Sequence, residues 1–220
     1  MSRIICVTGT DTEVGKTLVT AALGHALTRC DVDVVAIKPV ESGTDLGHIQ
    51  DGVILAQATG QTAPSQALTL LKKPVAPPVA ADHEGVTLDA KVWTNAVIEA
   101  AALHEMVLVE GAGGLMSPLT WNHTLLDLAV NWRSDAVLVA SDKLGCLNHT
   151  LLTLSALTAA GVRPRGVIFS APKIPDDSTG ENAAALAHFY PTVPTTTLPR
   201  VAHWRDAVPL LMPLAIALSK

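Results

Sequence analysis

At 220 residues, with 49% apolar side chains, the chain has the length of one α/β domain and enough apolar content to bury a core of that size. A net charge of −5, from 15 basic and 20 acidic side chains, excludes a basic face for nucleic acid and is too mild for an acidic disordered tail. Cys6, Cys30 and Cys146 show neither zinc spacing nor a disulfide framework, and the apolar runs at the two ends are too short for a signal peptide or a membrane span. A cytoplasmic location is therefore the expectation.

Short apolar runs rich in β-branched residues predict strands over residues 4–7, 32–37, 106–109, 136–140, 166–169 and 195–198. Longer Ala- and Leu-rich segments between them predict helices over residues 16–29, 52–59, 88–103, 125–131, 148–160 and 181–189. The apolar run 208–218 reads as a terminal helix packed on the core or on a second subunit. This alternation predicts an α/β fold with a mostly parallel, doubly wound sheet and helices on both faces, in one domain over residues 1–220. Residues 72–85, with Pro74, Pro77 and Pro78, read as an irregular loop, as do residues 171–179. Both fall outside the carboxyl ends of strands, where such folds place ligands.

The first chemical signal lies between the first strand and the first helix, in Val7-Thr8-Gly9-Thr10-Asp11-Thr12-Glu13-Val14-Gly15-Lys16-Thr17. The general phosphate-loop pattern is G-x-x-x-x-G-K-[ST]. Gly9 stands one residue too early for it and Thr10 occupies the first-glycine position, while Gly15-Lys16-Thr17 is intact. A loop entering a helix N-terminus points several backbone N–H groups, and the positive end of the helix dipole, at one spot. Gly15 lets a phosphate approach the backbone, Lys16 offers charge to the β- and γ-phosphates, and the Thr17 hydroxyl can ligate Mg²⁺.

Further along, Lys38 ends the second strand as a flexible cation at the sheet's ligand edge. Glu110 follows an apolar strand at the Walker B position, from which a carboxylate reaches Mg²⁺. Gly111, Ala112, Gly113 and Gly114 would leave room for a ligand against the backbone. Asp51 could cap the helix starting at residue 52. Asn148 is a plausible N-cap whose helix start would favour an anion. The eight histidines, His149 among them, form no metal or triad pattern, and Trp93, Trp121, Trp132 and Trp204 read as packing residues or interface anchors.

Four blocks, in order, carry a resemblance. They are the loop just quoted, then Lys38-Pro39-Val40-Glu41-Ser42-Gly43, then Val109-Glu110-Gly111-Ala112-Gly113-Gly114, then Lys143-Leu144-Gly145-Cys146-Leu147-Asn148-His149. From residue 3 to about 170 the sequence resembles the dethiobiotin synthetase family of P-loop enzymes. The resemblance implies an ATP- and Mg²⁺-dependent ring closure that converts 7,8-diaminononanoate and CO₂ to dethiobiotin, with no nucleic-acid or membrane partner. It implies a nucleotide site at Thr12, Glu13, Val14, Gly15, Lys16, Thr17 and Leu18, together with Asp51, Glu110, Gly111, Ala112, Gly113 and Ser170. Magnesium would be held by Thr17, Glu110 and Asp51, with Asp45 close enough to Asp51 to compete for that place. The substrate would meet Thr12, Lys38 and Ser42, and its carboxylate tail would meet Gly145, Cys146, Leu147 and Asn148 of a neighbouring subunit. A homodimer with its active site at the interface is implied, and Lys16 and Lys38 would be the catalytic pair. One position departs from the family: Ser170 stands where an Asn usually contacts the base, so strict adenine selection is not expected. The alternative reading is a partition-type ATPase switch, whose phosphate loops usually carry an early lysine that residues 9–14 lack.

Overall fold

The structure, a computed structural model, describes residues 3–220. In chain order its elements are β1 (Arg3–Gly9), α1 (Lys16–Thr28), β2 (Val34–Ile37), β3 (Val40–Ser42), a 3₁₀ turn (Thr44–Leu46), α2 (Asp51–Thr59), β4 (Thr69–Leu71), α3 (Pro77–Glu84), α4 (Ala90–Leu103), β5 (Met106–Gly114), β6 (Pro118–Thr120), β7 (His123–Thr124), α5 (Leu125–Asn131), β8 (Asp135–Ser141), α6 (Cys146–Ala159), β9 (Pro164–Ser170), α7 (Asn182–Ala187), β10 (Thr195–Leu198) and α8 (Trp204–Ser219). Six strands form one parallel sheet in the order β10-β9-β8-β1-β5-β2, flanked by two small two-stranded pairs, β3-β4 and β6-β7. The fold class matches the expectation. Among the described residues no helix is long and apolar enough to cross a membrane.

The strands read as unbroken apolar runs because both faces of the sheet are covered. On one face, Ile5, Val7, Val137 and Ile168 pack with Val19, Leu23, Leu55, Trp204 and Leu211 of α1, α2 and α8. On the other, Cys6, Val107, Leu138 and Phe169 pack with Trp93, Leu125, Leu154 and Leu186 of α4 to α7. Alternation along β1 thus feeds two separate cores. The last helix packs on α1, which decides between the two expected places for it. Pro209 and Pro213 sit inside this helix on its exposed side, while Ala207, Leu211, Leu214 and Leu218 are buried.

Residues 72–85 are not all loop. Pro77 and Pro78 occupy the first turn of α3, where the missing N–H has no intrahelical partner to lose, and Gly85 closes the helix with a positive φ of 65°. Three prolines concealed a helix that two of them start. Residues 171–179 do lack helix and strand, as expected.

β1 lies between β5 and β8, so the chain leaves it toward opposite sides of the sheet. The crevice at the carboxyl ends of these strands is the expected ligand position for this topology. The loop after β1, Lys38 after β2, Glu110 in β5 and Ser170 at the end of β9 all reach that edge.

Candidate active site

The phosphate loop is fixed at its start by the Thr10 N–H, which donates to the Val139 carbonyl of β8 at 2.9 Å. Two residues in the left-handed region, Glu13 (φ 56°) and Gly15 (φ 96°), then turn the chain into α1. Gly15 is the N-cap, and no side chain caps the helix, so the first amides of α1 are left for a ligand. Lys16 is only 7% exposed and its Nζ donates to the Asp11 carbonyl at 2.9 Å. Burial, and then the nearby Lys38 charge, lower its pKa from the ordinary lysine value to about 8.

Facing this loop is a compact ionic cluster. Lys38 Nζ donates to Glu110 Oε1 at 2.6 Å, to Asp51 Oδ2 at 2.8 Å and to the Gly111 carbonyl at 3.3 Å. The Thr17 hydroxyl donates to the same Glu110 oxygen at 2.8 Å. Burial alone would lower the Lys38 ammonium's pKa, but Glu110 and Asp51 more than reverse this and hold it above the usual lysine range. Burial likewise pushes the Asp51 carboxyl up, and Lys38 outweighs it, leaving Asp51 below the usual carboxylate range.

Glu110 is fully buried, and its second oxygen, Oε2, has no hydrogen-bond partner. A buried, orphaned carboxylate oxygen beside a hydroxyl and a second carboxylate is an all-oxygen donor set suited to a hard divalent cation. Among the described residues no group of three His, Cys, Asp or Glu could hold a metal ion. Glu110, Asp51 and Thr17 are by themselves at most a partial oxygen set for a divalent cation. The residues present fit the ion.

A cavity of about 380 Å³ opens on this cluster and is lined by Thr12, Lys16, Thr17, Lys38, Ser42, Asp51, Glu110, Ala112 and Gly113, among others. A second, of about 650 Å³, adjoins it and is lined by Val14, Cys146, Ser170, Lys143, Arg200 and neighbours. Thr12, Glu13, Gly15 and Leu18 line both. Together they form one crevice, the two cavities meeting along the loop between β1 and α1.

Several expectations are corrected here. Asp51 is the first helical residue of α2, with Gln50 at the cap position, so it is not an N-cap. Its carboxylate points to Lys38, whereas Asp45 is exposed on the 3₁₀ turn. Asn148 does not cap α6 either. Gly145 (φ 86°) does, and the helix begins at Cys146. Gly111 makes no room for a ligand: a Cβ there would run into the Leu125 side chain. Gly145, Leu147 and Asn148 line neither cavity of the crevice, whereas Lys143, Cys146 and His149 line the second. His149 stands exposed at the edge of the second cavity. Trp93, Trp132 and Trp204 are buried, while Trp121 is 63% exposed.

Among the crevice residues to which the sequence reading gave no role, Glu41 is the buried charged one. Glu41 lines the first cavity, is 4% exposed, and accepts the Asp51 and Gly52 N–H groups at 2.7 and 3.1 Å. It was visible inside the Lys38–Gly43 block, but its partners lie ten and eleven residues away, beyond any local periodicity.

Residues 3–205 match the sequence model of the AAA domain family. The ATP-dependent dethiobiotin synthetase BioD of Anaeromyxobacter sp. (strain Fw109-5) is 40% identical over 207 residues, covering 93% of this chain and 92% of that protein. BioD of Janthinobacterium sp. (strain Marseille) is 37% identical over 191 residues, covering 82% and 81%. Among solved structures, the septum site-determining protein MinD of Pyrococcus horikoshii, complexed with Mg-ADP, superposes with a TM-score of 0.63 at 18% identity, covering 100% of this chain and 97% of that one. The cell division ATPase MinD of Pyrococcus furiosus gives 0.65 at 18% identity, covering 100% and 99%. Those likenesses establish the P-loop fold, and the sequence relatives establish more: the chain belongs to the AAA domain family and, within it, to the ATP-dependent dethiobiotin synthetases.

Proposed function

We propose that this protein catalyses the ATP-dependent closure of the ureido ring of dethiobiotin from 7,8-diaminononanoate and CO₂. One substrate amine adds to CO₂ and loses a proton, giving a carbamate. A carbamate oxygen attacks the γ-phosphorus as the bond to ADP breaks. The second amine then attacks the carbamoyl carbon, loses its proton, and expels phosphate as the ring closes. No covalent bond to the protein is needed, so the protein's task is orientation and charge stabilisation.

Lys16, released from the Asp11 carbonyl, would take up the β- and γ-phosphates beside the free amides of α1. Lys38 would hold the carbamate and the transferring phosphoryl group, with Ser42 and Thr12 bonding the substrate. Thr17, Asp51 and Glu110 would hold Mg²⁺, which when bound neutralises developing charge on the phosphoryl oxygens. The base would lie in the second cavity near Ser170, whose short hydroxyl discriminates poorly between bases. We further place the start of α6 at the site of a second subunit, in a cytoplasmic homodimer of one-domain protomers.

The observation that carries this reading is the Lys38–Asp51–Glu110–Thr17 cluster opposite the phosphate loop, in a chain about 40% identical to a dethiobiotin synthetase. The test supplies diamine, ¹³C-bicarbonate, Mg²⁺ and a panel of nucleoside triphosphates. Nucleotide-dependent appearance of the ¹³C-labelled cyclic urea supports it. Nucleotide hydrolysis indifferent to the diamine would instead indicate a MinD-like switch, which the fold alone would also accommodate.

A further inference from the structure

The start of α2 is anchored in an unusual way. Its cap residue, Gln50, gives no side-chain hydrogen bond to the helix. The two leading amides are taken instead by the two oxygens of Glu41, one each, from the short strand β3. A local Ser, Asp or Asn at position 50 would satisfy one such amide more simply. The distant carboxylate also carries a cost. Burial, with Asp51 beside it, pushes the Glu41 carboxyl above the ordinary glutamate range. From the other side, Gly52 lies so close to the Ala67 backbone that no Cβ would fit. The first turn of α2 is therefore clamped between β3 and residue 67, while residues 44–49 between β3 and α2 are largely exposed.

We propose that Glu41 is a positioning residue: by capping α2 from β3 it fixes the Asp51 carboxylate against Lys38 and locks Asp51 in register with Ser42, its own neighbour in the strand. The proposal rests on the reading that Asp51 and Lys38 serve the reaction. It explains why the cap comes from β3 and not from Gln50. A local cap would hold the first turn of α2, and with it Asp51, but would not tie that turn to Ser42 of β3. With Glu41 in place, the connection can move while Ser42, Lys38 and Asp51 keep their relative positions.

The test compares the intact wild-type protein with Glu41→Ala, Glu41→Gln and the double variant Glu41→Ala/Gln50→Asp, which returns a local cap. Two readouts are taken: hydrogen exchange of the Asp51 and Gly52 amides, and steady-state turnover with the diamine. In Glu41→Ala the two amides should exchange about tenfold faster, the size of a lost helix cap. Turnover should fall about tenfold with the nucleotide KM within about threefold, as expected when a group is misplaced and not removed. Gln50→Asp should restore a large part of both. Glu41→Gln, which keeps one carbonyl acceptor, should lie between and covers the case in which the alanine variant fails to fold. Unchanged amide exchange in both single variants would overturn the proposal. So would turnover that stays low while exchange is restored, since Glu41 would then act on the reactants directly. The exchange measurement needs no turnover, so a wild-type protein that makes no dethiobiotin would refute the function and leave the capping result standing.

Discussion

The crevice holds two buried lysines in opposite electrostatic states. Lys38, locked between Glu110 and Asp51, stays charged through the whole working pH range, because its pKa lies above the ordinary lysine value. Removing it strips Glu110 of its direct ion-pair partner. Lys38→Ala should cost about 3–5 kcal/mol of stability, the usual penalty for leaving a buried charge alone, and thermal unfolding checks this. Its turnover should drop by about 10²–10³, the scale of one lost charge-stabilising donor, while nucleotide still binds. Lys16 behaves differently, since its pKa of about 8 lies below that of an unfolded lysine. Below about 8 it is charged and ready for phosphate, and above it the charge is lost unless ligand restores it. Metal-free nucleotide affinity should therefore be flat below about pH 8 and fall by up to about tenfold per unit above it, as linkage requires for one proton. Calorimetric titration across that range tests the sign, and Lys16→Arg, which stays charged, should flatten the slope. The residues legible in the sequence were those whose roles follow from neighbours in the chain: Lys16 and Thr17 at a strand–helix corner, Lys38 at a strand end, Glu110 after an apolar run. Glu41 was hidden because its partners are assembled by tertiary structure. Asp51 was half legible, since an acidic residue at a helix start has a bland explanation as well as a chemical one.

Among the elements, the long parallel strands and the helices between them were readable for a simple reason. A strand buried on both faces needs an apolar run, and Ala- and Leu-rich crossovers flank it. The pairs β3-β4 and β6-β7 have strands of three residues or fewer, and pairing across the fold decides them more than sequence does. Glycine is the other element-scale lesson. The run Gly111 to Gly114 looked like space for a ligand, yet Gly111 is buried and its missing Cβ is filled by Leu125 at the head of α5. The glycine there serves the packing of α5 on β5. Gly111→Ala should thus destabilise the protein by about 1–3 kcal/mol through overpacking. Adding Leu125→Ala should recover part of that loss, so that the two changes couple by about 0.5–3 kcal/mol in urea unfolding. Nucleotide affinity of the folded Gly111→Ala protein should stay within about threefold of wild type. A selective loss of affinity without loss of stability would return Gly111 to the ligand.

For the whole molecule, the fold alone does not assign the function, because a cell division ATPase, MinD, shares it at 18% identity. The proposed homodimer offers a test of the assignment. At the start of α6, Leu147 and Asn148 lie outside the crevice of their own protomer, while Cys146 and His149 line it. Leu144 just before it is 81% exposed, and farther along, Leu152 of α6 and Met116, 63% and 61% exposed, line a cavity that also touches Thr10 and Asp11. An apolar patch beside a phosphate loop suits a contact between copies. If each site joins the lysines of one protomer to the α6 start of the other, a split-site experiment follows. Lys38→Ala disables the first half. Asn148→Asp puts a negative charge where the substrate carboxylate would dock, at a helix-start position that tolerates an acid. Each variant alone should be nearly inactive. Mixed in equal amounts and allowed to exchange subunits, half of the dimers should be hybrids carrying one intact and one doubly damaged site. Activity should then rise to about a quarter of wild type, as a two-fold interface demands. Were all the catalytic groups to come from one protomer, every hybrid site would keep one lesion and mixing would restore nothing.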